Sequence, residues 1–305
     1  MNTNGETFRE RQNSERSIRL LCAICRFYGN GKRVLALQMF LTVGLAILLP
    51  ILVGIYPELK TAASLTAITV VWLDVTTVDR LQIYFRKQGA LGQEQFDCSL
   101  FGILWNDLRC GKELPPESVH AAADAFLESN SSDRLRDWYA VDLDALPSDL
   151  AALASQRLSL GWDCEQRLIF GYVLWGMAVA ALIGVAFWAV CCAQTIRDTL
   201  LVTYASIAPA IIWCAREGRR HLDASRSIER ARSFADKTWK DAMAGKLVGE
   251  PLQFTVRQIQ DALFENRSKN PMIFDWIYLL FRPVREKAMK LTAEDLVHEW
   301  RSRLI

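Results

Sequence analysis

The chain has 305 residues with 36 Lys and Arg against 34 Asp and Glu, a net charge of +2 that conceals a strong division. Segment 93–166 carries 14 acidic and 5 basic residues, a balance of −9, whereas 216–305 carries 13 and 18, a balance of +5. An acidic middle argues against a duplex nucleic-acid groove there, and predicts docking of that segment on the basic ones at either side.

The leader 1–33 holds seven basic and three acidic residues and is read as a cytosolic helix. It is long and polar and no small-residue cleavage site follows, so the apolar run after it is expected to stay in the mature protein. "CAIC" at Cys22–Cys25 has redox or metal spacing, but no second pair or nearby histidine completes a site, so these are read as structural thiols. No cofactor and no metal are expected.

Val34 to Tyr56 is uncharged, long enough to cross a hydrocarbon core. After "PELK" comes Thr61 to Val78, shorter and interrupted by Asp74. An ionisable residue inside a span is a functional candidate, so Asp74 is read as a possible pore-lining group, with Arg80 as one available partner. Leu168 to Thr195 then runs about 28 residues without a charge, too long to be apolar on every face of a soluble helix. "IRD" leads to Thr199–Ala215, short and containing Pro209. Cys191, Cys192 and Cys214 fall in these stretches as small apolar residues.

The expectation is an all-α membrane protein: four transmembrane helices in two hairpins, 34–79 and 168–215, with a helical cytosolic domain built from 1–33, an acidic segment 80–167 and a basic segment 216–305. Lys32, Arg33, Arg80, Arg86, Lys87, Arg157, Arg167, Arg216, Arg219 and Arg220 flank the spans on one side, Lys60 and Arg197 on the other. Both termini and the long middle segment are therefore expected on the cytoplasmic side of the membrane.

In the cytosolic segments, Leu252, Val256, Ile259, Leu263 and Phe264 recur at helical spacing behind Pro251, and Leu222, Ile228, Ala235, Trp239 and Ala242 extend the fourth span. Thr292 with Asp295 reads as the start of a last helix. The three histidines, His120, His221 and His298, belong to no motif and are read as helix-surface residues. Nothing converges as a catalytic constellation, so no enzyme is expected.

Aromatic and polar residues cluster instead in "QEQFDCSLFGILWND", "DWYAVDLDALP" and "QRLSLGWDCEQR". They can be interhelical packing and caps, or a ligand pocket, because rings stack on bases and arginines hold phosphates. The candidates are Trp105, Trp138, Tyr139, Arg157, Trp162 and Arg167, with Trp276 and Arg282 of "DWIYLLFR" as the second choice.

At these stretches, and at "RQNSERSIRLLCAICRFYGNGK" and "RQIQDALFENRSKNPMIFDWIYLLFRPVREKAM", the sequence resembles the SMODS-associated four-transmembrane family. It departs from the family pattern at Ser155, where cysteine is usual, and near Leu160, where an asparagine is usual. The resemblance implies a pore-forming effector of bacterial antiphage signalling with cyclic oligonucleotides, acting on the lipid bilayer as a homo-oligomer with a possible cyclic oligonucleotide ligand. A constitutive channel or transporter, or a non-conducting membrane scaffold or sensor, are the alternatives.

Overall fold

The computed structural model describes residues 7–139 and 141–303, and among them there are helices and turns but no strand. After a short α1 (Phe8–Gln12) come two long helices, α2 (Glu15–Ile55) and α3 (Pro57–Phe101). Two small helices follow, α4 (Asp107–Cys110) and α5 (Pro116–Leu127). Then α6 (Ser148–Cys191) turns back into α7, continuous over 196–243, and α8 (Glu250–Lys269) and α9 (Asp275–Arg303) close the chain.

The four longest helices each have a buried half and an exposed apolar half. The buried halves form one core with α1, α5, α8 and the end of α9, centred on fully enclosed Leu21, Ile24, Phe96, Leu100, Leu153, Ile228 and Ile259. The periodic residues of α8 point into this core as their spacing predicts, and Pro251 occupies its first turn. Beyond the core the same helices are apolar yet open. In their most apolar stretches only 6%, 6% and 11% of residues are buried for α2, α3 and α6. A long apolar surface that no protein covers is matched to lipid.

Three helices among the described residues, α2, α3 and α6, are long and apolar enough to cross a membrane. The predicted fourth span, 199–215, does not meet that test. It is short and opens with a π-helical stretch at Thr199–Tyr204. It also contains Pro209 and runs directly into the charged part of α7. The side chains of 201–203, 205 and 206 lie outside the described residues. The helix α7 as a whole packs along α6, and their closest crossing lies past 215. A Cβ on Gly171 would meet Leu222 Cγ at 2.8 Å and the Gly218 carbonyl oxygen at 3.1 Å, so the two glycines permit a backbone approach that larger residues would open.

Two sequence expectations are corrected. Thr292 does not start a helix: it lies inside α9 and its hydroxyl donates to the Ala288 carbonyl at 2.9 Å. His221 is not on a surface; only 1% of it is exposed, and it packs edge-on against Phe170 with ring centroids 4.7 Å apart. His120 and His298 are exposed, as expected.

Candidate functional site

Three polar arrangements stand out among the described residues, and the first is a buried clasp between α3 and α8. The i,i+3 pair Glu94 and Asp97 projects from α3 into the core. Opposite, Arg257, Gln260 and Arg267 line one face of α8. Arg267 Nη1 lies 2.6 Å from Asp97 Oδ2, and Arg257 forms an ion pair with Glu94 while also reaching Asp261 at 2.9 Å. Gln260 Nε2 donates to both carboxylates, at 2.9 and 3.0 Å, and Gln156 of α6 donates to Gln260 Oε1 at 2.9 Å.

Tyr139 closes the clasp from the loop before α6, donating from its hydroxyl to Asp97 Oδ1 at 2.7 Å. Burial pushes the Tyr139 hydroxyl up, and the Asp97 charge adds to this, so it remains a donor. Burial also raises the Glu94 carboxyl, against the pull of Arg257. Burial works against the Arg257 charge too, but the Glu94 carboxylate outweighs it and holds the guanidinium firmly protonated. The acidic middle and the basic end thus meet through a few desolvated pairs, with Arg257 Nε and Gln156 Oε1 left buried without a hydrogen-bond partner among the described residues.

The second arrangement is the connector between α8 and α9, residues 270–274, with the helix ends that flank it. Arg86, from the part of α3 just past its span, donates from Nε to the Ser268 carbonyl at 2.8 Å. Arg167, where α6 leaves the core, donates to the Pro271 carbonyl at 2.7 Å and lies 2.9 Å from Asp163. Lys32 of α2 pairs with Asp275. Met272 fits over Gly31, where a Cβ would lie 2.8 Å from its sulfur. Ile273, Phe274 and Ile277 pack with Phe170, Leu174 and Trp213 in a small separate apolar cluster. Three helices therefore grip one connector at the level where they leave the core. Burial lowers the Arg86 guanidinium, with the nearby Arg220 charge next in effect.

The third is a polar chain among the spans. Asp74 opens a π-helical turn, Asp74–Val78, and accepts from Gln38 Nε2 at 2.8 Å; Gln82 Nε2 in turn donates to Gln38 Oε1 at 3.1 Å. Its partner is Gln38 and not Arg80, which is exposed. Gln38 stands just before a second π-helical turn, Phe40–Gly44, so two irregular helix turns meet at this polar contact.

The residues predicted for a ligand pocket do not converge. Tyr139 is in the clasp. Arg157 forms an ion pair with Asp236 of α7, and Arg167 holds the connector. Trp105 is half-buried, its indole N–H donating to the Gly111 carbonyl at 2.8 Å. Trp162 is half-buried, while Trp138 and Trp276 are exposed. The Arg282 side chain lies outside the described residues. A cavity of about 670 Å³ lies elsewhere, between the turn at Asp144 and α9. It is lined by Asp144, Glu294, Asp295, His298 and Arg301, and three carboxylates are the wrong lining for phosphates.

Glu94, Gln260, Arg86, Met272 and His221 do not stand out in the sequence as site residues. Only the acidic i,i+3 pair in "QEQFD", set among apolar residues, carries a readable signal. Among the described residues no three His, Cys, Asp or Glu side chains group so as to hold a metal ion.

An all-α chain with several helices long enough to cross a bilayer and a single packed core joined to their ends defines a multi-pass membrane protein with a helical soluble domain. The chain belongs to the family of the SMODS-associating 4TM effector domain, whose profile matches residues 6–296. It is also similar to a probable CBASS effector molecule of Bacillus cereus (strain VD146), with 24% identity over 281 residues, covering 89% of this chain and 92% of that one. No solved structure matches it significantly.

Proposed function

We propose that this protein is an inner-membrane effector of bacterial antiphage defence that permeabilises the membrane as a homo-oligomer when a cyclic oligonucleotide signal reaches its cytosolic domain. Membership of an effector family with membrane-spanning helices carries the class of action. The relative named as a CBASS effector supports the link to cyclic-oligonucleotide signalling.

In this reading 199–215 is the fourth crossing, the spans pair as 34–79 and 168–215, and both termini face the cytoplasm. One chain offers too few helices to enclose a pathway, so copies associate, and Asp74 with Gln38 supplies the polar stripe that an open pathway needs. The trigger acts on the clasp and the connector, because the gripped connector is the rigid link between core and spans. A ligand would be held at one of the separate places of Trp105, Trp138, Arg157, Trp162 and Trp276, where a ring face or a cation is available, and not in one pocket formed by all of them.

The test is dye release from liposomes carrying the purified protein, with and without cyclic di-AMP, cyclic GMP-AMP and cyclic tri-AMP. Release that depends on one of these is the expected result. Equal release with and without all of them indicates a constitutive channel, and no release under any condition indicates a non-conducting scaffold.

A further inference from the structure

The outer face of α7 beyond the membrane is a stripe of exposed cations with one ring at its centre. Arg219, Arg226, Arg230, Lys237 and Lys240 recur along a single face at helical spacing, and Phe234, 44% exposed, stands between Arg230 and Lys237. Asp223 is shared by Arg219 at 3.9 Å and Arg226 at 3.0 Å, but Arg230, Lys237 and Lys240 have no ion-pair partner among the described residues. Seen alone this is a solvated helix face.

A second face has the opposite character. The outer side of α5 exposes Glu117, Asp124 and Glu128 around Leu127, itself 40% exposed. Arg19 pairs with Asp124 at 2.6 Å, while Glu117 and Glu128 have no cationic partner among the described residues. The two faces belong to different parts of the domain, since α5 packs on α2 whereas α7 packs on α6 and α8.

With Val34 at the start of the first span and Ala215 at the end of the fourth, as the proposed function has them, they also stand at similar heights. At about 1.5 Å per residue, Arg19, which holds α5 in place, lies ~22 Å above the start of the first span at Val34. Arg230 lies ~22 Å above the end of the fourth at Ala215 by the same rise. Copies sharing one membrane cannot shift vertically against each other, so faces at equal height can meet laterally.

We propose that the α7 stripe of one copy docks on the acidic α5 face of the next, with Phe234 against Leu127 at the centre and charge pairs at the rim. An apolar centre ringed by complementary charge is the anatomy of a specific interface. The interface uses two different faces, so it runs head to tail and closes into a ring when the rotation between copies allows. It deepens the oligomeric part of the proposed function and rests on that reading.

The test uses the full chain in liposomes, with the exposed Cys191 and Cys192 replaced by serine. One preparation carries Phe234→Cys, the other Leu127→Cys, and the two are mixed and oxidised with and without the three cyclic nucleotides named above. The expected result is a disulfide dimer linking 234 to 127 that neither preparation forms alone. Arg230→Glu with Lys237→Glu in the first chain lowers its yield about tenfold, and Glu117→Lys with Glu128→Lys in the second restores it. No mixed dimer under any condition, dimers through like positions only, or a yield indifferent to charge reversal would overturn the interface. Dye release from the same liposomes separates this from the broader reading. Release that persists where no mixed dimer forms overturns the interface alone, whereas a charge-dependent mixed dimer in liposomes that never leak supports the interface and counts against the effector.

Discussion

Arg267 of α8 and Asp97 of α3 form an ion pair at 2.6 Å with the Asp97 carboxylate 2% exposed, which ties the acidic middle of the chain to its basic end inside the core. Removing one partner leaves a desolvated charge without compensation, at a cost of roughly 3–5 kcal/mol. Asp97→Ala is therefore expected to lower the melting temperature strongly in detergent. Replacing Asp97 and Arg267 together by Leu and Met is expected to cost less than Asp97→Ala, because no unpaired guanidinium remains, while the Tyr139 hydroxyl loses its acceptor in both variants. Equal losses in both variants would show that shape and not charge governs this pairing.

Arg86 and Arg167 hold the α8–α9 connector through backbone carbonyls, at 2.8 and 2.7 Å. Glutamine at both positions keeps polar side chains but shortens the reach and removes two buried charges. If the connector links core to spans, this double variant is expected to raise dye release without nucleotide several-fold while the protein still inserts. Unchanged basal release from a protein that inserts normally would remove the connector from the mechanism.

Burial lowers the His221 imidazole from 6.5 to about 3, and the charges of Arg167 and Arg220 push the same way. The unfolded chain then binds a proton that the folded one refuses between these two values. The contribution is complete above about pH 6.5 and is lost as the pH falls toward 3, at up to ~1.4 kcal/mol per pH unit. Thermal melts across that range should show this slope, and His221→Leu should flatten it. A wild-type slope retained in the variant would assign it to carboxylates instead.

Ser155 of α6 is 1% exposed and its hydroxyl has no hydrogen-bond partner among the described residues. A buried hydroxyl without a partner is unfavourable, whereas a thiol of similar shape demands little. Ser155→Cys is expected to stabilise by roughly 0.5–1.5 kcal/mol. A lower melting temperature would point to an ordered water or a ligand satisfying the hydroxyl.

Much of this was already written in one dimension. Uncharged runs long enough for a bilayer are local properties, so α2 and α6 could be read directly, as could the buried stripe of α8 from its 3.6-residue period. The charge division between 93–166 and 216–305 was also legible, since it needs only counting. The ambiguous cases were 61–78, short and interrupted by Asp74, and 199–215, short and containing Pro209, since each weakens a signal that depends on uninterrupted apolarity. Only the tertiary structure decided who pairs with whom. Asp97 and Arg267 are 170 positions apart, and Arg86 meets Ser268 across 182, separations over which no periodicity carries information. His221 looked like any polar helix residue until Phe170 and the crossing at Gly171 enclosed it. Tyr139 and Arg167 looked like recognition residues because aromatic and cationic side chains serve both packing and binding. Their hydrogen-bond partners, Asp97 and the Pro271 carbonyl, come from elements that reach them only after the chain has folded back on itself.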